Sequence, residues 1–97
     1  MKGGNIMYGI YRLRLDDLIY GLDVESYVKN FKNQKVKIFR GGLRECKIKM
    51  YFEEFTHNFP RNAEFCLAYN KHDIFKVYEI YKNGKLHKYE IYLIDKD

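Results

Sequence analysis

No stretch of this 97-residue sequence approaches the roughly 18 consecutive apolar residues that a membrane-spanning helix needs. Met1-Lys2-Gly3-Gly4-Asn5 leads into no apolar segment with a small-residue cleavage site, so no secretory leader is read and a cytoplasmic setting in a bacterial host is expected. With only Cys46 and Cys66, and no leader, the expectation is two reduced thiols rather than a disulfide framework. Ser26 is the lone serine and sits in a helical pattern with no glycine-framed nucleophile elbow, which argues against serine-nucleophile chemistry. Neither Gly3-Gly4 nor Gly41-Gly42 has the spacing of a phosphate-binding loop. Cys46, His57, Cys66 and His72 lack the close ligand pairs of zinc modules. No cofactor or metal is therefore expected. Internal repeats, low-complexity tracts and linkers are also missing, which leaves one domain over residues 1–97.

Within it, residues 1–6 read as a disordered or mis-assigned extension. Lys2 to Ile6 back-translates to a purine-rich stretch and an AT-rich spacer ahead of Met7, the pattern of a ribosome-binding site, so Met7 is an alternative start. The abundance of Lys, Ile, Asn, Tyr and Phe, residues of AT-rich codons, fits a low-GC bacterium or its phage.

What the sequence does contain is aromatic and basic. Ten Tyr and seven Phe give a small core large side chains to bury, and tyrosine keeps a polar tip that suits half-buried positions. The period-two pattern of Met7 to Leu15, with Arg12 and Arg14 on the opposite face, predicts a first strand. Leu15, Leu18, Ile19 and Leu22, then Val24, Tyr27, Val28 and Phe31, recur at helical spacing but out of phase, predicting one broken helical segment at about 16–32. Asp16 and Asp23 are its candidate caps. Val36 and Ile38 alternate with Lys35 and Lys37, and Cys46, Ile48, Met50 and Phe52 alternate with Lys47, Lys49, Tyr51 and Glu53. Both are read as strands, joined by a turn at Gly41-Gly42. Phe55 to Arg61, with Pro60, reads as a loop, and Asn62 to Tyr69 as a strand over a short helix.

Lys82-Asn83-Gly84-Lys85 is the strongest local signal, because Asn-Gly accommodates the positive φ angles of a type I′ hairpin turn. A two-residue loop pairs Tyr81 with Leu86, Glu79 with Lys88, Tyr78 with Tyr89, Phe75 with Tyr92 and Ile74 with Leu93, with Ile74, Tyr78, Ile80, Tyr89, Ile91 and Leu93 on the core face. The fold expected is a small α+β domain. It has an antiparallel sheet of five or six strands, the broken helical segment on one face, and a C-terminal hairpin.

Charge is uneven. From Lys29 to Lys49 eight cations stand against Glu45 alone, in a chain of net charge +5. If both flanking segments are strands, Lys35, Lys37, Lys47 and Lys49 share the outer face of one hairpin, with Arg40 and Arg44 at its tip and Tyr51 nearby. Such a basic ribbon is the candidate binding site, able to meet an acidic protein surface, a nucleic acid–protein complex or nucleic acid directly. The plain alternative is that these lysines only solvate a strand and discourage edge pairing. No catalytic set is assigned. Glu53, Glu54, His57, Arg61 and Tyr69 include the acid, base and cation of metal-free ribonuclease chemistry, but any basic domain of this size has such residues. His72 beside Asp73 reads as a turn residue and His87 as a solvated one.

The functional expectation is a non-catalytic binding protein of a phage or mobile element that inhibits a host nucleic-acid-handling or defence protein, an anti-CRISPR-like role. The alternatives are a nucleic-acid-binding regulator and a small ribonuclease of a toxin–antitoxin pair. No membrane partner is expected, and a Tyr-rich edge strand leaves room for a homodimer.

Overall fold

The computed structural model describes residues 6–18, 23–31 and 34–97. In chain order these form strand β1 (Tyr8–Leu15), helix α1 (Val24–Lys29), strand β2 (Val36–Gly41), helix α2 (Leu43–Tyr51), a 3-10 turn (Thr56–Asn58) and strands β3 (Glu64–Lys71), β4 (Phe75–Lys82) and β5 (Lys85–Lys96). The strands make one antiparallel sheet in the order β2-β1-β5-β4-β3, so the chain is a small single-domain α+β fold. No described helix is long and apolar enough to cross a membrane.

The long β5 lies at the centre, with β1 along one side, Tyr8 opposite Lys96 through Leu15 opposite Tyr89, and β4 along the other. Alternation then sorts the side chains onto two faces, and both are covered. On one face Ile10, Tyr78, Ile80, Tyr92 and Ile94 pack under Cys46 and Met50 of α2 and Phe55 and Phe59 of the following segment. On the other, Leu13, Phe75, Val77, Tyr89, Ile91 and Leu93 pack under Leu18 and Val28, with Val24 and Phe31 at the margin. Burial of each such side chain stabilises the fold by about 1.5–3 kcal/mol, so a strand covered twice gains most, and Tyr89 to Ile94 of β5 is buried without a break.

One member of that run is a carboxylate. Glu90 is fully buried on the α2 side, where Arg14 Nε reaches it at 2.8 Å, Lys88 at 3.3 Å, and the Tyr92 hydroxyl donates to it at 3.1 Å. A carboxylate in that position is tolerated because its oxygens are met by cations and a donor.

The structure departs from the sequence expectations at three places. Residues 46–53 do not form a strand. Leu43 to Tyr51 is helical, with Cys46 and Met50, four apart, pointing into the core while Ile48 and Phe52 face out, so the alternating pattern was a coincidence of inward and outward apolar residues. The hairpin register also shifts. Asn83 and Gly84 do adopt φ of 54° and 76°, and Tyr81 does pair with Leu86. His87 is then an extra residue, so Ile80 faces Lys88, Glu79 faces Tyr89, Tyr78 faces Glu90 and Phe75 faces Leu93. That bulge moves Tyr89, Ile91 and Leu93 onto the face opposite Tyr78 and Ile80. Third, Asp16 to Leu18 is a bend followed by two residues without regular structure, and the remainder of the proposed first helical half, like residues 1–5 of the proposed extension, lies outside the described residues. Asp23 does cap α1, accepting from the Ser26 amide at 3.3 Å. The strand at Glu64–Lys71 forms where the weaker of the sequence signals placed one.

Candidate docking surface on α2

Helix α2 starts where Gly42 leaves the sheet, and its first turn is closed by Glu45, whose carboxylate accepts from the Gly42 amide at 3.0 Å. This is the N3 half of a capping box. At the other end Glu54 N donates to Lys49 O at 3.2 Å and Glu53 N to Met50 O at 3.3 Å, the paired bonds of a Schellman stop. The residue in the left-handed position is usually glycine; here it is Glu53, φ 54°. A side chain there costs about 1 kcal/mol, and its location explains the choice. The Glu53 carboxylate lies 3.5 Å from Lys76 Nζ, whose ammonium is buried between it, Asp73 at 3.6 Å and the Met50 carbonyl oxygen. The helix end is thereby clamped to β4.

The same lysine holds the β3–β4 turn. His72 and Asp73 take φ of 53° and 56°, a two-residue turn closed by Ile74 N to Lys71 O at 2.9 Å and built without glycine. Asn70 supports it from below, accepting from the Asp73 amide at 3.0 Å and donating to its carboxylate at 3.1 Å. Backbone strain of this kind persists only where surrounding contacts over-determine it, and it gathers at functional edges. Here it sets His72 and Asp73 against the outer side of α2.

Between that turn and the helix runs a groove of about 620 Å³, lined by Leu43, Arg44, Lys47, Ile48, Tyr51 and Phe52 with His72 and Asp73. Its walls are apolar, and they face solvent: Tyr51 and Phe52 are 63% and 66% exposed, their rings meeting edge to face at 5.0 Å. Arg44 and Lys47, one turn apart, form no ion pair among the described residues, whereas Asp73 is engaged by Lys76 and Asn70. The groove therefore combines an apolar floor with a positive rim.

The basic ribbon expected from the sequence does not form. Lys35 lies on the α1 side, donating to Lys29 O at 3.3 Å and standing 5.6 Å over the Tyr11 ring. On β2, Lys37 and Arg40 both pair with Asp97, whose carboxyl they hold below the ordinary carboxylate range. Lys49 bridges to Glu54 at 2.9 Å and covers the Phe39 ring at 4.7 Å. Only Arg44, Lys47 and Tyr51 of the seven predicted residues come together, on one helix face. Compared with known proteins, the chain matches no family model, no curated sequence and no solved structure. Chemistry has to be read from the residues alone.

The ribonuclease set is dispersed. Glu53 turns inward to Lys76, Tyr69 lies on β3 against the Phe75 ring at 5.8 Å, and only Glu54 and His57 share a small cleft of about 210 Å³ with Lys49 and Asn58. His57 Nδ1 there hydrogen-bonds the Glu54 carbonyl oxygen. Both cysteines are free: Cys46 is buried in the core, and Cys66 is exposed on β3. Burial pushes the Cys46 thiol up, and a hydrogen bond to Glu79 at 3.3 Å does the same for Cys66, so neither is an activated nucleophile. Leu43, Ile48 and Phe52 are the site residues that the sequence reading missed. Their signal was present in Glu45 at the N3 position and in a run nearly free of β-branched residues, both of which favour helix over strand from Leu43 on.

Proposed function

We propose that this chain is a non-catalytic binding protein that docks an acidic protein surface through the outer face of α2. The observation that carries the reading is the exposed Tyr51–Phe52 pair beside Ile48 and Leu43, framed by Arg44 and Lys47. Exposed apolar side chains grouped on one helix face mark an interaction surface rather than solvated structure. Aromatic and arginine side chains are those that most often anchor interfaces, and the two cations select an acidic partner over a neutral one. Tracking a nucleic-acid backbone calls for a row of cations, and here α2 offers only Arg44 and Lys47, set beside exposed apolar side chains, while those of β2 are drawn to Asp97. The AT-rich residue usage supports the setting of a phage or mobile-element product that inhibits a host nucleic-acid-handling or defence protein.

The test is capture from a bacterial lysate by the wild-type chain and four variants. An acidic protein retained by wild type, Lys37→Glu and Arg40→Glu, but weakened at least tenfold by Lys47→Glu and Phe52→Ser, is the expected result. Capture that ignores all four changes removes α2 as the docking face. Retention of RNA or DNA that falls steeply with salt replaces the reading with that of a nucleic-acid-binding regulator.

A further inference from the structure

Among the described residues β2 and β3 are the edge strands of the sheet, and they are built differently. β2 is six residues long, interrupted by a bulge, and carries Lys37 and Arg40, two cations that share the single carboxylate of Asp97, so a second copy still meets net like charge there. β3 is eight residues long and, among the described residues, pairs only with β4. Every one of its residues is exposed, and from Phe65 to Tyr69 it carries no charge, with Phe65, Leu67 and Tyr69 each at least 40% exposed. An apolar edge of that length is a template for strand addition.

The ends of β3 indicate what adds to it. Glu64 and Lys71 are its only charged residues, of opposite sign, standing at its two ends and equidistant from the midpoint between Leu67 and Ala68. Antiparallel pairing with an identical strand about that midpoint sets Glu64 against Lys71 of the second copy, and Lys71 against its Glu64. Glu64 has no ion pair among the described residues, while Lys71 already meets Glu25 at 2.8 Å. One symmetry operation gives Glu64 a cation and Lys71 a second carboxylate.

The bulge makes this register possible. Residues directly opposite in an antiparallel pair share a face, and an uninterrupted strand paired about a point between two residues would place equidistant residues on opposite faces. In β3 the ladder with β4 slips between Leu67 and Tyr69. Glu64 and Cys66, opposite Tyr81 and Glu79, therefore lie on the same side as Tyr69 and Lys71, opposite Val77 and Phe75. Phe65, opposite Ile80, lies on the same side as Asn70, opposite Lys76. With the extra residue, Glu64 matches Lys71, Phe65 matches Asn70 and Cys66 matches Tyr69, each on its own face.

We infer that β3 is a homodimer edge, two copies joining across a two-fold axis between Leu67 and Ala68 into one ten-stranded antiparallel sheet. Because that axis is perpendicular to the sheet, both α2 helices fall on the same face, so the dimer presents two docking grooves side by side. The inference does not depend on what the grooves bind.

Sedimentation equilibrium of the full chain gives the test. The wild type dimerises. Glu64→Lys and Lys71→Glu each raise the dissociation constant about tenfold, since each change converts two attractive pairs into repulsive ones, and the double variant recovers most of the loss. Urea midpoints of all four proteins separate dimer loss from misfolding. Hydrogen exchange at rising concentration should protect the β3 amides. A chain that stays monomeric at millimolar concentration, a double variant no better than the single ones, or protection confined to α2 would each overturn the proposal.

Discussion

Lys76 is the residue on which the α2 side of the molecule turns. It is 2% exposed, and its ammonium gathers the Met50 carbonyl and Glu53 at the end of α2 and Asp73 in the β3–β4 turn, three groups from two segments. Both segments carry non-glycine residues at positive φ, so the strain at Glu53 and at His72-Asp73 is held in place by one cation. Replacing Lys76→Met preserves volume but strips a buried carbonyl of its donor and leaves two carboxylates facing apolar atoms. Because both carboxylates are about a third exposed and can rehydrate, the expected loss is about 1–3 kcal/mol rather than the larger penalty of a fully buried pair. Glu53→Gly should be milder, since release of about 1 kcal/mol of left-handed strain offsets the lost ion pair. Urea denaturation of the two variants checks the order; equal and large losses would mean that Glu53, not Lys76, is the anchor.

Helix α2 separates stability from binding by side. Met50 is fully buried, so Met50→Ala should cost about 2–5 kcal/mol, the usual range for core truncation. Ile48 is 45% exposed, and Ile48→Gln should leave stability within about 0.5 kcal/mol while impairing docking. A strand over the same residues would place both side chains in the core and predicts comparable losses, so the pair of urea midpoints distinguishes the two structures. Of the apolar residues that made the segment look like a strand, Cys46 and Met50 enter the core while Ile48 and Phe52 line the groove. Local pattern and fold disagree here because an interaction surface must keep apolar groups on the solvent side, against the usual rule of amphipathicity. The β4–β5 hairpin shows the complementary case: turn chemistry gave its existence, but a bulge at His87 that no local signal announces set which face each β5 residue occupies.

Across the whole molecule, stability should fall on both sides of neutrality. Hydrogen bonding by the Ser26 side chain and then by its amide lowers Asp23, Lys71 and Lys29 lower Glu25, and Lys37 and Arg40 lower Asp97. For groups lowered on folding, the stabilisation is present above the ordinary carboxylate value of about 4 and is lost as pH falls through the folded values. Tyr78 and Tyr92 move the other way: burial raises both, reinforced by Glu53 and Glu90 respectively. Their contribution is present below about 10 and is lost as pH rises beyond it, because only the unfolded chain can then ionise them. Urea midpoints measured against pH should show both limbs, and Glu25→Gln should be less stable than wild type at neutrality yet converge with it in acid. Persistence of the full gap at pH 2 would show that Glu25 acts through packing instead of charge. The strands over Tyr8–Leu15, Val36–Gly41 and the C-terminal hairpin, the Asp23 cap and the excess of positive charge were legible in the residues, because alternation, capping and turn chemistry act over a few neighbours. Which cations stand together, which apolar residues stay outside and which sheet edge lacks a guard were decided only in three dimensions. There Asp97 and the Tyr11 ring, distant in sequence, draw Lys37, Arg40 and Lys35 away from the expected ribbon, while α2 turns Lys49 toward Glu54 and Phe39 and leaves Arg44 and Lys47 on its outer face beside the groove.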